Sequence, residues 1–327
     1  MLRKVILDVD TGSDDAVALM TAALHKDLEL VAACSVTGNK DIQKTTENTL
    51  RVMCAPGVDV PVYKGCSGPL VKFLCDNRIK MPHYKSVVID GKEVTMHADY
   101  LDLPDADRGP EDLPAPMFYI DYLKKAKEPV TIIAVGPLTN LGVALSIDPD
   151  IFKHNVEEII VMGGGHAITN STPASEFNIW FDPEAAQMVA HCGAKVTFVP
   201  LDATHKAVIT KEDCKRFRDL RTFAGDFAAD LCEQRIAVHN IQQPLYLPDA
   251  AAVHDALAVC YAINPKVLKD VREVHLDIGL GDFAEGQTII DPRYYPLEKN
   301  CRFAFDGDRV EFVNTLCEAF VNSKKAD

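Results

Sequence analysis

Tryptophan occurs once in these 327 residues, at Trp180, so no site can be built from two stacked indoles. Long apolar runs are missing as well. No stretch approaches the roughly 20 residues needed to span a bilayer, which excludes a membrane-crossing helix. Positive charge is scarce, with 34 Lys and Arg against 48 Asp and Glu and a formal net charge of −14. With no basic face to neutralise phosphates, nucleic acid is excluded as a partner. Ten cysteines are present, but none pairs as Cys-x-x-Cys and none has zinc-type spacing with histidine. Several, such as Cys34, Cys192 and Cys260, sit in apolar stretches, where a thiol packs as a small hydrophobe. The first strand signal follows only Met-Leu-Arg-Lys, so no signal peptide is expected. The expected setting is reducing and cytoplasmic.

What is present is a βα rhythm. Val5 to Val9, Leu28 to Val36, Val130 to Val135, Val156 to Met162 and Lys195 to Val199 read as buried strands. Helices are expected at Ala16 to Leu24, Gln43 to Met53, Leu138 to Leu145 and, opened by a first-turn proline, Pro183 to Ala190. The last third reads as more helical, at Lys211 to Arg218, Ala224 to Val238 and Ala250 to Tyr261, with strand character at Val271 to Ile278 and Arg302 to Phe305. No linker or repeat divides the chain. The expectation is one α/β domain over residues 1–327: an open, mostly parallel sheet, helices on both faces and a helical part in the C-terminal third. Cys66 to Pro116, rich in Pro, Asp and Lys, reads as a long loop region near the ligand end of the sheet, a candidate flap.

Four carboxylates fall within eight residues, Asp8, Asp10, Asp14 and Asp15, where the first strand turns at Gly12-Ser13 into a helix. Helix capping accounts for one or two of them. It does not account for Asp8 and Asp10, which strand alternation puts on one face. Carboxylates this close raise one another's pKa unless a cation intervenes, and a hard divalent ion such as Ca²⁺ or Mg²⁺ suits all-oxygen donors.

Other polar groups follow apolar strands. Val135-Gly136-Pro137-Leu138-Thr139-Asn140 reads as a sharp turn whose carbonyls could face a ligand, or as an ordinary cap. Met162-Gly163-Gly164-Gly165-His166 lacks the Lys-Ser/Thr ending of a phosphate loop, so its glycines serve the turn or a close backbone approach. Glu176 and Asn178 flank Phe177 and together suit hydroxyl groups, hence a sugar, or else a structural network. His254 and Asp255 interrupt an alanine-rich run expected to be helical. Burying both is costly unless they are paired or functional.

Asp-x-Asp-x-x-x-Asp-Asp, Met-Gly-Gly-Gly, Glu-Phe-Asn and Val-His-Asp, in this order, resemble the nucleoside hydrolase family over about residues 3 to 310. The resemblance implies Ca²⁺ held by Asp10, Asp15, Asp255 and the carbonyl of Val135. It implies ribose hydroxyls on Asp14, Asn178 and Asp255, with Asn39 and Met162 lining the sugar site and Asn170 and Glu176 gripping its 5′ end. Asp10 would be the general base, and His254 the acid or hydrogen-bond donor to the departing base. The family also implies a small nucleoside substrate and a homo-oligomer.

Members often carry Thr-Gly-Gly where this chain has Val135-Gly136-Pro137, a change that a carbonyl ligand tolerates. Where some members present tyrosines before the His-Asp pair, this chain has Arg235, His239, Gln242 and Gln243. His97 stands near a family loop histidine. Inosine and guanosine are the expected substrates, uridine is admitted if leaving-group activation is generous, and adenosine is least expected. An aspartyl-phosphate phosphatase would not need the Asp14-Asp15 pair. The alternative of another class is a non-catalytic nucleoside or sugar sensor on the same scaffold, for which Asp10 and His254 would be superfluous.

Overall fold

Strands that are apolar at every position, not every second one, must be covered on both faces, and the sheet meets that requirement. In the computed structural model, which describes residues 2–78, 86–89, 91–153, 155–291 and 297–325, eight strands form one sheet. They are β1 (Arg3–Val9), β2 (Leu28–Ser35), β3 (Val62–Lys64), β4 (Val130–Ala134), β5 (Val156–Met162), β6 (Val196–Val199), β7 (Leu268–Val274) and β8 (Cys301–Gly307). Their spatial order is β7-β8-β6-β5-β4-β1-β2-β3. Every neighbouring pair is parallel except β7 with β8.

The helices are α1 (Ser13–Leu24), α2 (Ile42–Cys54), α3 (Ala115–Lys125), α4 (Thr139–Ile147), α5 (Phe177–Phe181), α6 (Pro183–Ala190), α7 (Leu201–Thr204), α8 (Lys211–Asp219), α9 (Phe223–Gln242), α10 (His254–Ile263) and α11 (Arg309–Phe320). Alternation along β1 sorts them into two layers. Val5, Leu7 and Val9 face a core shared with α1, α9, α10 and α11, whereas Ile6 faces one shared with α3, α4 and α6. No helix among the described residues is long and apolar enough to cross a membrane.

The chain runs outward from β1 through β2 to β3, then returns to β4 on the other side of β1. The strand order therefore reverses between β1 and β4. The crevice at their carboxyl ends is where open α/β sheets bind ligands.

Three local expectations are corrected. Ala250 to Tyr261 is not one helix: Ala250–Ala252 is a short strand antiparallel to Val208–Thr210, and α10 begins only at His254. Alanine is compatible with either state, and a distant partner decides. Val271 to Ile278 is not one strand either. After Val274 the chain leaves the main sheet, and Leu276–Ile278 pairs with Thr288–Ile290. The region from Cys66 to Pro116 carries a small hairpin, Val87–Ile89 with Lys92–Val94, while 79–85 and 90 of the candidate flap lie outside the described residues. Its later part is pinned down, because Asp99 pairs with Lys40 at 2.8 Å and Lys44 at 2.9 Å.

The single tryptophan is structural. Trp180 is buried in α5, and the Lys72 ammonium lies 3.2 Å from its ring centroid while donating to its carbonyl at 2.6 Å. Lys72 also pairs with Glu285 at 2.9 Å, and burial lowers its pKa to about 8. Lys72→Met removes the cation and leaves Arg78 alone on Glu285. A loss of about 2 kcal/mol is expected, below the usual cost of breaking a buried pair because Glu285 keeps one partner. A urea midpoint equal to that of the parent protein would contradict this account.

Candidate active site

The turn after β1 is organised by Asp15, not by Ser13 or Asp14. The Asp15 carboxylate accepts from the backbone N–H of Asp10 (3.0 Å) and of Gly12 (2.9 Å), closing the strand-to-helix turn. Asp10 follows the end of β1, and its Oδ2 accepts from the Asn39 N–H at 2.6 Å. Asn39 also donates through Nδ2 to Asp15 at 3.2 Å. Glycine is required on both flanks of Asp10. A Cβ on Gly38 would stand 2.1 Å from Asp10 Oδ2, and one on Gly136 would stand 2.9 Å from Oδ1.

A cavity of about 860 Å³ opens over this turn. Asp10, Asp14, Asn39, Val135, Met162, Asn170, Glu176, Asn178, His254 and Asp255 all line it, and Asp15 lies buried beneath. The residues singled out from the sequence are thus brought together from α1, α5, α10 and the ends of β1, β2, β4 and β5. Asp8 is the exception among the four early carboxylates. It faces the α3–α4 layer, where the Tyr119 hydroxyl (2.9 Å) and Asn140 (3.0 Å) donate to one of its oxygens, and burial raises its pKa to about 7.

One oxygen from each of Asp14, Asp15 and Asp255 lies within 4.8 Å of the others. Asp14, which the family likeness assigned to the ribose, is therefore inside the carboxylate group. Burial raises the pKa of Asp255 and Asp10 well above the ordinary carboxylate value, with neighbouring aspartates adding to it. Asp15 is raised to about 6, first by burial and then by Asp14. Buried carboxylates that hold one another's protons on are the donor set that a hard divalent cation would relieve, so the residues fit such an ion.

The opposite wall is built by α5. Glu176 caps this helix, accepting from the N–H groups of Asn178 (2.9 Å), Ile179 (3.2 Å) and Gly164 (3.0 Å). Burial nevertheless pushes Glu176 up to about 7. Asn178 donates to the carbonyls of Val135 (2.7 Å) and Met162 (3.1 Å), which ties the ends of β4 and β5 to the helix. Asn170 accepts from the Phe177 N–H at 3.0 Å.

The sequence offers Arg235 and His239 only as residues standing where relatives have tyrosines, and it does not reveal two features built on them. Arg235, on α9 and 1% exposed, donates to Asp14 at 2.9 Å, to Ser13 Oγ at 2.8 Å and to the Ala252 carbonyl at 3.0 Å. The signal was an arginine between Leu231, Cys232 and Ile236 on a helix whose inner face is apolar. The second is the set of imidazoles around His254. The rings of His205 and His239 lie 5.6 and 6.3 Å from it, and burial holds those two at a pKa of about 4. Burial, then the Arg235 charge, pushes His254 well below its ordinary value. The free protein therefore presents a neutral imidazole there.

Residues 5–314 match the family described as inosine-uridine preferring nucleoside hydrolase. The inosine-uridine preferring nucleoside hydrolase of Leishmania major is 36% identical over 316 residues, covering 92% of this chain and 91% of that protein. The pyrimidine-specific ribonucleoside hydrolase RihA of Shewanella woodyi is 32% identical over 323 residues and covers 98% of both. Among solved structures, a purine-preferring ribonucleoside hydrolase from Gardnerella vaginalis superimposes with a TM-score of 0.85 at 29% identity, covering 98% of each chain.

Proposed function

Because the chain belongs to the inosine-uridine preferring nucleoside hydrolase family and is a ribonucleoside N-glycosyl hydrolase, we propose that it acts on the 6-oxopurine nucleosides inosine and guanosine. Uridine is accepted more slowly and adenosine least. The observation that carries the reading is the group of buried carboxylates on the cavity floor, with Asn39, Glu176, Asn178 and His254 on its walls. Trp180 is packed on Lys72, so no indole is offered to stack on adenine.

Asp10, Asp15, Asp255 and the Val135 carbonyl would hold Ca²⁺; Asp15 and Asp255 gather within 4.8 Å of each other and of Asp14, which would share in its charge, and Asp10 and Val135 line the same cavity. When bound, the ion offsets the clustered negative charge and acidifies water, chemistry that divalent cations supply generally. Asp10 accepts the proton of the attacking water. Asp14, Asn178 and Asp255 hold ribose hydroxyls, Asn39 and Met162 line the sugar, and Asn170 and Glu176 take its 5′ end. Cleavage passes through an oxocarbenium-like sugar, whose positive charge the carboxylates stabilise. His254, neutral when free, donates a hydrogen bond to the departing base. A homo-oligomer in the cytoplasm is the proposed working form.

The test is release of free base from inosine, guanosine, adenosine and uridine in phosphate-free buffer containing Ca²⁺, repeated after chelation. Inosine and guanosine should turn over fastest, and chelation should abolish activity until Ca²⁺ is restored. Turnover of uridine alone would overturn the base preference. Unchanged activity after exhaustive chelation would overturn the metal assignment. No release from any of the four would favour the sensor alternative.

A further inference from the structure

β6 ends at Val199, and the single turn of α7, entered through Pro200, brings Thr204 back beneath the cavity, 1% exposed. Its Oγ1 stands 2.8 Å from Nδ1 of His254, the first residue of α10. Among the described residues, the other group within reach of the hydroxyl is the Leu201 carbonyl at 3.5 Å, at the outer limit of a hydrogen bond. This inequality favours donation from the hydroxyl to the ring. A hydroxyl that accepted from an Nδ1–H would have to send its own proton to that distant carbonyl. A hydroxyl that donates to Nδ1 spends its proton on a well-placed lone pair. The imidazole then carries its hydrogen on Nε2, the ring nitrogen that no group among the described residues engages.

We propose that Thr204 is a positioning residue for the reaction: its hydroxyl donates to Nδ1 of His254, fixes the Nε2–H tautomer and holds that N–H toward the departing base. The inference rests on the reading that His254 assists the leaving group. It adds the element that makes a neutral imidazole a donor and not an acceptor at that place. Without the hydroxyl, either ring nitrogen can carry the proton, and no other group among the described residues bonds the ring in place. The neighbouring rings of His205 and His239 approach His254 but share no hydrogen bond with it.

The experiment compares two substrates. Inosine needs help at its base, whereas p-nitrophenyl β-D-ribofuranoside releases a stabilised phenolate that needs no proton donor. Thr204→Val keeps the side-chain shape and removes the hydroxyl, while Thr204→Ser keeps the hydroxyl. Thr204→Val should lower kcat for inosine by about 10- to 100-fold, part of the 10²–10⁴ that general acid–base help typically contributes. The nitrophenyl riboside should change less than about twofold, and Thr204→Ser should recover most of the inosine activity. Activity of Thr204→Val on the nitrophenyl substrate also shows that the variant is folded.

Equal losses on both substrates would overturn the proposal, and so would an unchanged rate on inosine. His254→Ala separates the two levels of inference. If it too spares inosine, the leaving-group role of His254 fails. If it selectively slows inosine while Thr204→Val does not, only the role of Thr204 fails.

Discussion

Asp10→Asn is expected to lower kcat for inosine by about 10⁴-fold, the upper end of what general acid–base catalysis contributes, with KM changed only a few-fold. The amide matches the carboxylate in shape, and its oxygen can still accept from the Asn39 N–H, as Asp10 Oδ2 does at 2.6 Å. Gly38 and Gly136 pack closely against the group on two sides. What is lost is basicity. The same substitution should stabilise the metal-free protein, because it removes a buried acid that Asp15 and Asp14 repel when ionised. The sign follows from the raised pKa. The unfolded chain releases its proton near pH 4 and the native protein does not, so Asp10 diminishes stability as pH rises above that point. Urea midpoints of the two proteins without metal should therefore agree at pH 4 and diverge by pH 7, the variant being higher. A kcat within tenfold of the parent would remove Asp10 from the base role.

The second large effect is expected at Arg235. Its guanidinium is the cation bonded to Asp14, on a floor that also holds Asp10, Asp15 and Asp255. Arg235→Met keeps most of the buried length and deletes the charge and three hydrogen bonds, to Asp14, Ser13 and the Ala252 carbonyl. Removing one partner of a buried ion pair typically costs about 3–5 kcal/mol, and the metal-free variant should lose that much. Ca²⁺ should restore more stability to the variant than to the parent, since the ion would then be the main positive charge left facing the cluster. kcat/KM should fall at least about 100-fold, because Asp14 and the N-terminus of α1 lose their anchor on α9. Urea denaturation with and without Ca²⁺ reads both effects. Equal Ca²⁺ stabilisation of the two proteins would show that Arg235 does not share the charge of the site.

The parts of this architecture that are readable from sequence are those decided locally. Val156–Met162 and Pro183–Ala190 match their expected limits, one being buried on both faces and the other opened by a proline. The run Ala250-Ala251-Ala252 was misjudged because its strand state depends on Val208–Thr210, some forty residues away in sequence. The outcome bears on function. His254 and Asp255 open a helix immediately after a strand, the position where ligands gather, and do not interrupt a helix midway. Asp8 and Asp10 look equivalent by alternation, yet Asp8 keeps the Ile6 face and bonds Tyr119 and Asn140, whereas Asp10 lies past the end of β1, where alternation no longer holds. Arg235 and Thr204 carry no motif. Their meaning comes from Asp14 and His254, which only the folded chain brings to them.

The contacts that complete the cavity join the two ends of the chain, as the bond between Arg235 and Asp14 spans 221 positions. A ribosome making this protein must therefore extend it past Asp255 of 327 residues before the floor of the crevice can close. Until then β1 waits with its acidic turn open, because a parallel sheet gains most of its pairing only after long crossovers return. Capture of a cation by all the proposed ligands would belong to the end of biosynthesis. Ion uptake by an emerging chain would mark the moment it becomes an enzyme, not a stage on the way.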